Sequence, residues 1–365
     1  MITRLAFFVV LLLSPFAAVA QPENDRTAVL LGRLSSRADL KPLKTVIVAR
    51  DGRTVAEQGY RGHTASESVN IKSASKSIVS SLVGIAIDKG LLAGPEQKIA
   101  SILKADLPAD PDPRLNQITI GNLLSMQAGL GRLSGPNYGR WVASRNWVRF
   151  ALAQPFDDEP GGQMLYSTAS THLLSAILTK VGGKSTLALA REWLGPVDGF
   201  RIGAWERDPQ GIYLGGNQMA MTARSLLAFG ELYRNGGRTA DGTQVVPADW
   251  IAQSWQHRTN SRFSGDDYGY GWFSRQIGGE EVHFAWGYGG QMLYIVPSFG
   301  MTVVMTSDES GPSARTGYRD ALHGLFGRDY CSQSPNLNER FRPIVKKRAS
   351  CKNKIQQRGY KVRRP

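Results

Sequence analysis

Ser73 and Lys76, three residues apart in the run IKSASKSIVSSLVGIAIDKG (residues 71–90), are the pair whose types and spacing could do chemistry. A serine hydroxyl is a weak nucleophile until a neighbouring base removes its proton, and a lysine amine can be that base if burial lowers its pKa. On a helix, positions i and i+3 share one face about a turn apart. A helix start also offers backbone N–H groups and a positive dipole end to an oxygen that gains charge. SASK meets all three needs in four residues. The same spacing arises by chance in many proteins, where the serine is an N-cap and the lysine a surface residue, so the companions of the pair decide.

The element carrying the pair is predicted to be a helix from near Ser73 to Gly90, with Ile78, Val79, Leu82, Val83, Ile85 and Ile87 spread around its circumference. A helix apolar on nearly all sides is buried, and an unpaired lysine in its first turn is costly enough to require a purpose. Upstream, residues 26–40 read as a helix, and residues 44–60 as two β-rich runs around Asp51 and Gly52, a hairpin signal. Helical patterns follow at 117–126, 170–181 and 222–235. From Tyr268 the pattern reverts to strands (YGYGWFSRQ, GGQMLYIVP, MTVVMTS) and a closing helix at 314–326. This order predicts an α/β (α+β) protein whose one sheet is assembled from both ends of the chain. Residues 21–62 together with 262–330 form the sheet domain, and residues 63–261 an inserted helical domain. A cleft between the two is the expected place for a small ligand.

The chain ends bear on location and partners. Residues 1–20 carry Arg4, an apolar core from Leu5 to Leu13, and small residues at Ala18 and Ala20. They predict a signal peptide cut after Ala20 and a periplasmic or secreted protein. The apolar core is about half the roughly 20 residues a membrane span needs. The net charge of +14 suggests nucleic acid at first, but residues 331–365 hold eleven Lys or Arg against Glu339 alone. With Arg4 also set aside, the body carries only +3. The expectation is therefore no nucleic-acid partner, and a solvated basic tail whose one candidate contact is a weak one with anionic envelope polymers. Cys331 and Cys351 bracket much of that tail, and export would permit a disulfide between them. No Cys or His cluster has metal spacing, no phosphate or dinucleotide loop is present, and there is no GxSxG nucleophile elbow. Neither a metal nor a cofactor is expected.

After the SASK helix the chain reads LLSMQAGL (123–130), PGGQMLYST (160–168), GGNQMAMTARSLLAFGELYRNGG (215–237), GYGWF (269–273) and AWGYGGQMLYIVP (285–297). In that order these segments resemble the class C β-lactamase-like family of serine hydrolases, which includes penicillin-binding proteins, esterases and amide hydrolases. The resemblance covers most of residues 45–326. It implies a β-lactamase/penicillin-binding-protein-like fold, with an antiparallel sheet flanked by helices and an inserted all-helical domain. It makes Ser73 the nucleophile, Lys76 its base and Tyr166 the tyrosine that shares and relays the proton, a phenol whose pKa a cationic amine would lower. It places the second oxyanion donor, after the N–H of Ser73, near Tyr288.

The sequence also departs from that pattern. Thr168 stands where the family has asparagine, so a short hydroxyl replaces a carboxamide as the substrate contact. The third motif aligns with Ala285, Trp286 and Gly287 and lacks the usual cation. His283 nearby is a candidate partial substitute, although a lone histidine is more often just a polar strand residue. The GYGGQ string resembles the 6-aminohexanoate-dimer hydrolase and esterase branch, which implies an uncharged acyl pocket lined by Trp286 and Tyr288, unless both aromatics merely pack in the sheet. The reading is an exported hydrolase of small esters or amides through an acyl-Ser73 intermediate. Its alternatives are a β-lactamase or D,D-peptidase and a non-catalytic envelope-binding scaffold.

Overall fold

The computed structural model describes residues 21–313 and 316–325. Residues 1–20, read as a signal peptide, and the basic stretch 331–365 with Cys331 and Cys351 lie outside the described residues.

One antiparallel sheet of eight strands gathers both ends of the chain. Its strands are β1 (Leu43–Arg50), β2 (Arg53–Gly59), β6 (Thr259–Asn260), β7 (Asp267–Tyr268), β8 (Phe273–Ile277), β9 (Glu280–Gly287), β10 (Gln291–Val296) and β11 (Met301–Ser307), in the order β2-β1-β11-β10-β9-β8-β7-β6. The β1–β2 hairpin turns at Asp51 and Gly52, whose φ values of 48° and 81° are the left-handed pair that a two-residue hairpin turn requires. β10 and β11 are buried along their whole length, as central strands covered on both faces must be. On one face, Leu31 and Leu34 from the N-terminal helical stretch join Leu322 and Leu325 from the end of the described chain. On the other lies the helix Ala223–Arg234. It sits so close that a Cβ on Gly230 would come within 2.5 Å of Leu293.

That helix falls within residues 63–261 yet packs on the large sheet, so the packing boundary departs from the sequence boundary. The middle stretch is not purely helical either. It carries a small sheet of β3 (Ser68–Asn70), β4 (Ala204–Trp205) and β5 (Met219–Thr222) in the order β3-β5-β4. These pieces are two to four residues long, and β3 pairs with β5 across about 150 positions, as Val69 does with Met221, which leaves no local periodicity to read. Among the described residues no helix is long and apolar enough to cross a membrane.

The nucleophile segment is a 3₁₀ turn, Lys72–Ala74, leading into the helix Ser75–Asp88. Every residue of that helix from Ser75 to Ala86 is buried. Its serines satisfy the loop beside it: Ser77 Oγ donates to Gly271 O and Ser80 Oγ to Tyr270 O, each at 2.7 Å. The GYGW segment is thereby stapled to the helix that carries the lysine.

Candidate active site

Ser73 projects from the 3₁₀ turn rather than from the first α-helical turn. Lys72 adopts a left-handed φ of 51°, and its N–H donates to Asn70 Oδ1 at 2.9 Å. This backbone kink just before the nucleophile sets the turn, and such conformations persist only when neighbours hold them.

Lys76 Nζ lies 3.2 Å from Ser73 Oγ, donates to Gly216 O at 2.7 Å, and sits 3.4 Å from Thr168 Oγ1. The residue is 2% exposed, and burial alone lowers its pKa from 10.5 to about 7. Near neutrality, then, a large fraction of the amine is unprotonated. With its N–H groups directed to Gly216 and Thr168, the lone pair is left for the Ser73 proton.

Tyr166 completes the cluster. Lys76 Nζ lies 5.1 Å from the centre of its ring, and the phenol faces the Ser73 hydroxyl, which favours its ionised form. The expectation of a lowered phenol pKa is corrected here, since burial pushes it up to about 12 and the bond to Ser73 only partly opposes that. The cost of burying a phenolate outweighs whatever a neighbouring cation could offer. Tyr166 is therefore a neutral phenol near pH 7, and Lys76 is the group of the cluster whose pKa suits proton transfer there.

Thr168, read as a substrate contact, is turned inward. It is 4% exposed, and its Oγ1 is 3.0 Å from Ser134 Oγ as well as within reach of Lys76. Its N–H donates to Ser134 Oγ at 2.8 Å, and Leu133 N–H to Ser167 Oγ at 3.0 Å, so residues 133–134 and 167–168 are tied together behind the lysine.

Gly287 closes the cluster from the sheet. A Cβ there would fall 2.1 Å from Ile71 O, so glycine lets β9 lie directly against the nucleophile segment. The turn after it is bonded from Gly290 N to Gly287 O at 3.1 Å, and Tyr288 within that turn is 49% exposed. Trp286, on the alternate face of β9, packs against Phe273 with Arg319 over its ring, and its Nε1 donates to Ser313. Its partners are thus sheet-packing ones rather than the Ser73 group. His283 does not replace the missing cation. Its Nδ1 is 2.7 Å from Ser274 Oγ, its ring stacks on Trp255, and burial lowers its pKa to about 4, so it is uncharged at neutral pH.

Sequence reasoning missed four contributors. Gly216 stood in a quoted segment without a role. Its φ of 78°, and a virtual Cβ 2.7 Å from Lys76 Cγ, show why glycine is needed. Ser134 gave no signal beyond its place after LLSMQAGL. Lys72 puts a cation next to the nucleophile, paired with Glu309 at 3.1 Å and donating to Gln218 Oε1 at 3.3 Å. Arg132 donates from Nε to Tyr166 O at 3.2 Å and lies over the exposed ring of Phe263. Among the described residues no group of His, Cys, Asp and Glu is arranged to hold a metal ion.

Comparison with known proteins places this geometry. Residues 44–326 match the family model for Beta-lactamase. A solved structure from Bacillus anthracis, described as a 6-aminohexanoate-dimer hydrolase, superposes with a TM-score of 0.63 at 20% identity, covering 79% of this chain and 80% of that one. A family VIII carboxylesterase superposes with a TM-score of 0.67 at 17% identity over 84% of this chain and 97% of that one. A curated relative from Dichelobacter nodosus, described as the fimbrial assembly protein FimD of serogroup H1, is 32% identical over 144 residues, which are 38% of this chain and 36% of that protein. The chain thus spans about a third of the length of the curated relatives it matches. The match over residues 44–326 assigns the family: the chain belongs to the beta-lactamase family of serine hydrolases.

Proposed function

We propose that this protein hydrolyses small esters or amides of uncharged character through an acyl-Ser73 intermediate. The observation that carries the reading is the buried Lys76 amine 3.2 Å from Ser73 Oγ, with its pKa lowered to about 7. Ser73 Oγ attacks the carbonyl carbon as its proton passes to Lys76 Nζ. The resulting oxyanion is held by the N–H groups of Ser73 and Tyr288, the latter in the turn that Gly287 seats against the nucleophile segment. Collapse expels the alcohol or amine, which takes the proton from Lys76 by way of the Tyr166 phenol. Water then attacks the acyl ester, gives its proton to Lys76, and Ser73 leaves reprotonated.

Uncharged substrates fit the surroundings: His283 is neutral, and the Lys72 cation is already engaged by Glu309. The names of the structural neighbours, a carboxylesterase and a 6-aminohexanoate-dimer hydrolase, accord with esters and amides. Export with cleavage after Ala20, and weak contact of the basic tail with anionic envelope polymers, belong to the same proposal and rest on residues 1–20 and 331–365. A fluorophosphonate should label Ser73, and Ser73→Ala should abolish turnover of a p-nitrophenyl ester. Undiminished turnover by that variant refutes the proposal.

One observation favours a second reading. Arg132, tied to the Tyr166 carbonyl, has no acidic partner among the described residues and could receive a carboxylate such as a β-lactam or a peptide carries. Fast nitrocefin hydrolysis or stable acylation by labelled penicillin would establish it over the first.

A further inference from the structure

The segment Gly215–Gln218 supplies the carbonyl that holds the base, and it is anchored in turn by a buried pair that the mechanism above does not use. His172, on the helix Thr168–Gly182, and Asp208, in the turn before the segment, both have fully buried side chains, with Nε2 and Oδ2 3.1 Å apart. Asp208 Oδ1 accepts the N–H groups of Gln210 at 2.8 Å and Ile212 at 2.9 Å, which fixes the carboxylate in its own turn. On the other side of the imidazole, Gly215 N–H donates to His172 Nδ1 at 3.4 Å. Gly215 also lies directly on the helix, since a Cβ there would fall 2.1 Å from Thr171 O. The next carbonyl, that of Gly216, accepts from Lys76 Nζ. At the far end of the segment, Gln218 Oε1 accepts from Asn70 Nδ2 at 2.6 Å and from Lys72.

These contacts define the protonation of the ring. Nδ1 accepts from Gly215, so it carries no proton. Nε2 then bears the ring N–H and donates it to Asp208. The tautomer is set by the carboxylate and read by the backbone of the base-holding segment. The rings of Trp141 and Trp147, each 5.6 Å from the imidazole, close the site to water.

We propose that His172 and Asp208 are positioning residues for the general base: Asp208 fixes the Nε2–H tautomer of His172, which seats Gly215 and so aims the Gly216 carbonyl at Lys76. The inference rests on the acyl-serine reading, in which Lys76 takes the Ser73 proton.

Asp208→Asn is the diagnostic change. The carboxamide oxygen can keep the bonds to Gln210 and Ile212, but its NH₂ then faces Nε2–H, donor against donor. The ring escapes by moving its proton to Nδ1, which turns a donor toward the Gly215 N–H and displaces the segment. The experiment is the rate constant and final extent of Ser73 labelling by a fluorophosphonate, in wild type and Asp208→Asn. The expected result is full labelling of the folded variant at a rate constant roughly 10- to 100-fold lower, the effect of a modest misplacement of a catalytic group. A purely structural role would lower the extent of labelling and leave the rate constant of the folded fraction unchanged, and that result overturns the proposal. A wild-type protein that is not labelled at all removes the acyl-serine reading itself, and the positioning role with it. A spectroscopic measurement stands independently of whether the variant folds. Long-range ¹⁵N–¹H correlation in wild type should show His172 as the Nε2–H tautomer, and an Nδ1–H tautomer overturns the proposal. In a parallel pair of variants, His172→Asn, which retains an acceptor near the Nδ1 position, should label faster than His172→Gln, which does not. The reverse order overturns it as well.

Discussion

Burial brings the Lys76 amine to a pKa of about 7, where it suits the proposed role of base, and two outcomes follow at the residue scale. Lysine accepts the Ser73 proton only as a free amine. The acid limb of kcat/KM for an uncharged ester should therefore have its midpoint near the Lys76 pKa of about 7, with activity falling about tenfold per pH unit below it. A limb near 4 or near 10 would assign the base elsewhere. The same shift governs stability. Its folded pKa lies below the unfolded 10.5, so between about 7 and 10.5 the unfolded chain binds more protons, and this group's contribution to stability rises with pH across that window. Lys76→Met should be inactive yet more stable than wild type by roughly 1–2 kcal/mol at pH 7, because the burial cost goes while the packing stays. The advantage should shrink as pH rises toward 10.5 in denaturant melts. The closeness of Ser73 and Lys76 was legible in the sequence because a three-residue spacing on a buried helical segment puts two side chains on one face, and the structure sets them 3.2 Å apart. The inward turn of Thr168 was not legible because it depends on Ser134, which is not near in sequence, whereas His283 is the polar strand residue that a lone histidine more often is, stacked on Trp255.

The elements meet at glycines, where backbone must touch backbone. Gly287 is the contact between β9 and the nucleophile segment. Gly287→Ala would put a methyl group 2.1 Å from Ile71 O, where no side chain can give way. The variant should lose about 100-fold in Ser73 labelling rate and roughly 1–3 kcal/mol of stability, checked by labelling kinetics and thermal melting. Unchanged labelling would mean that β9 does not support the nucleophile. Local chemistry made some elements readable, as with the Asp51–Gly52 hairpin, where two left-handed residues in a row leave a mark in the sequence. The helix read at 117–126 is shorter, Ile120–Leu124, because Thr119 and Asn122 form a capping box that starts it later. The 3₁₀ turn at Ser73 was read as plain helix, since Lys72 carries no outward sign of its left-handed backbone.

For the whole molecule, the sequence order of strands, helices and strands was enough to anticipate one sheet built from both ends. The packing of Ala223–Arg234 on that sheet was not anticipated, because an amphipathic helix does not say which layer it will cover. The charge division gives a test at this scale. Deleting residues 331–365 removes +10 of the +14 net charge, and should leave ester turnover unchanged while lowering the salt needed to elute the protein from heparin. Loss of turnover would assign the tail a part in the fold.

The pairing of β1 with β11, marked by the 2.6 Å contact of Thr45 and Thr306 across 261 residues, also bears on the order of events during synthesis. Ser73, Lys76 and Tyr166 leave the ribosome long before the strands that seat them. Until Ser307 has emerged, β1 lacks one of its two neighbours and Gly287 has no finished sheet from which to meet Ile71. On the proposed acyl-Ser73 mechanism, a chain that ends before β11 carries Ser73, Lys76 and Tyr166 without the sheet that seats them, and should not be labelled at Ser73 by a fluorophosphonate.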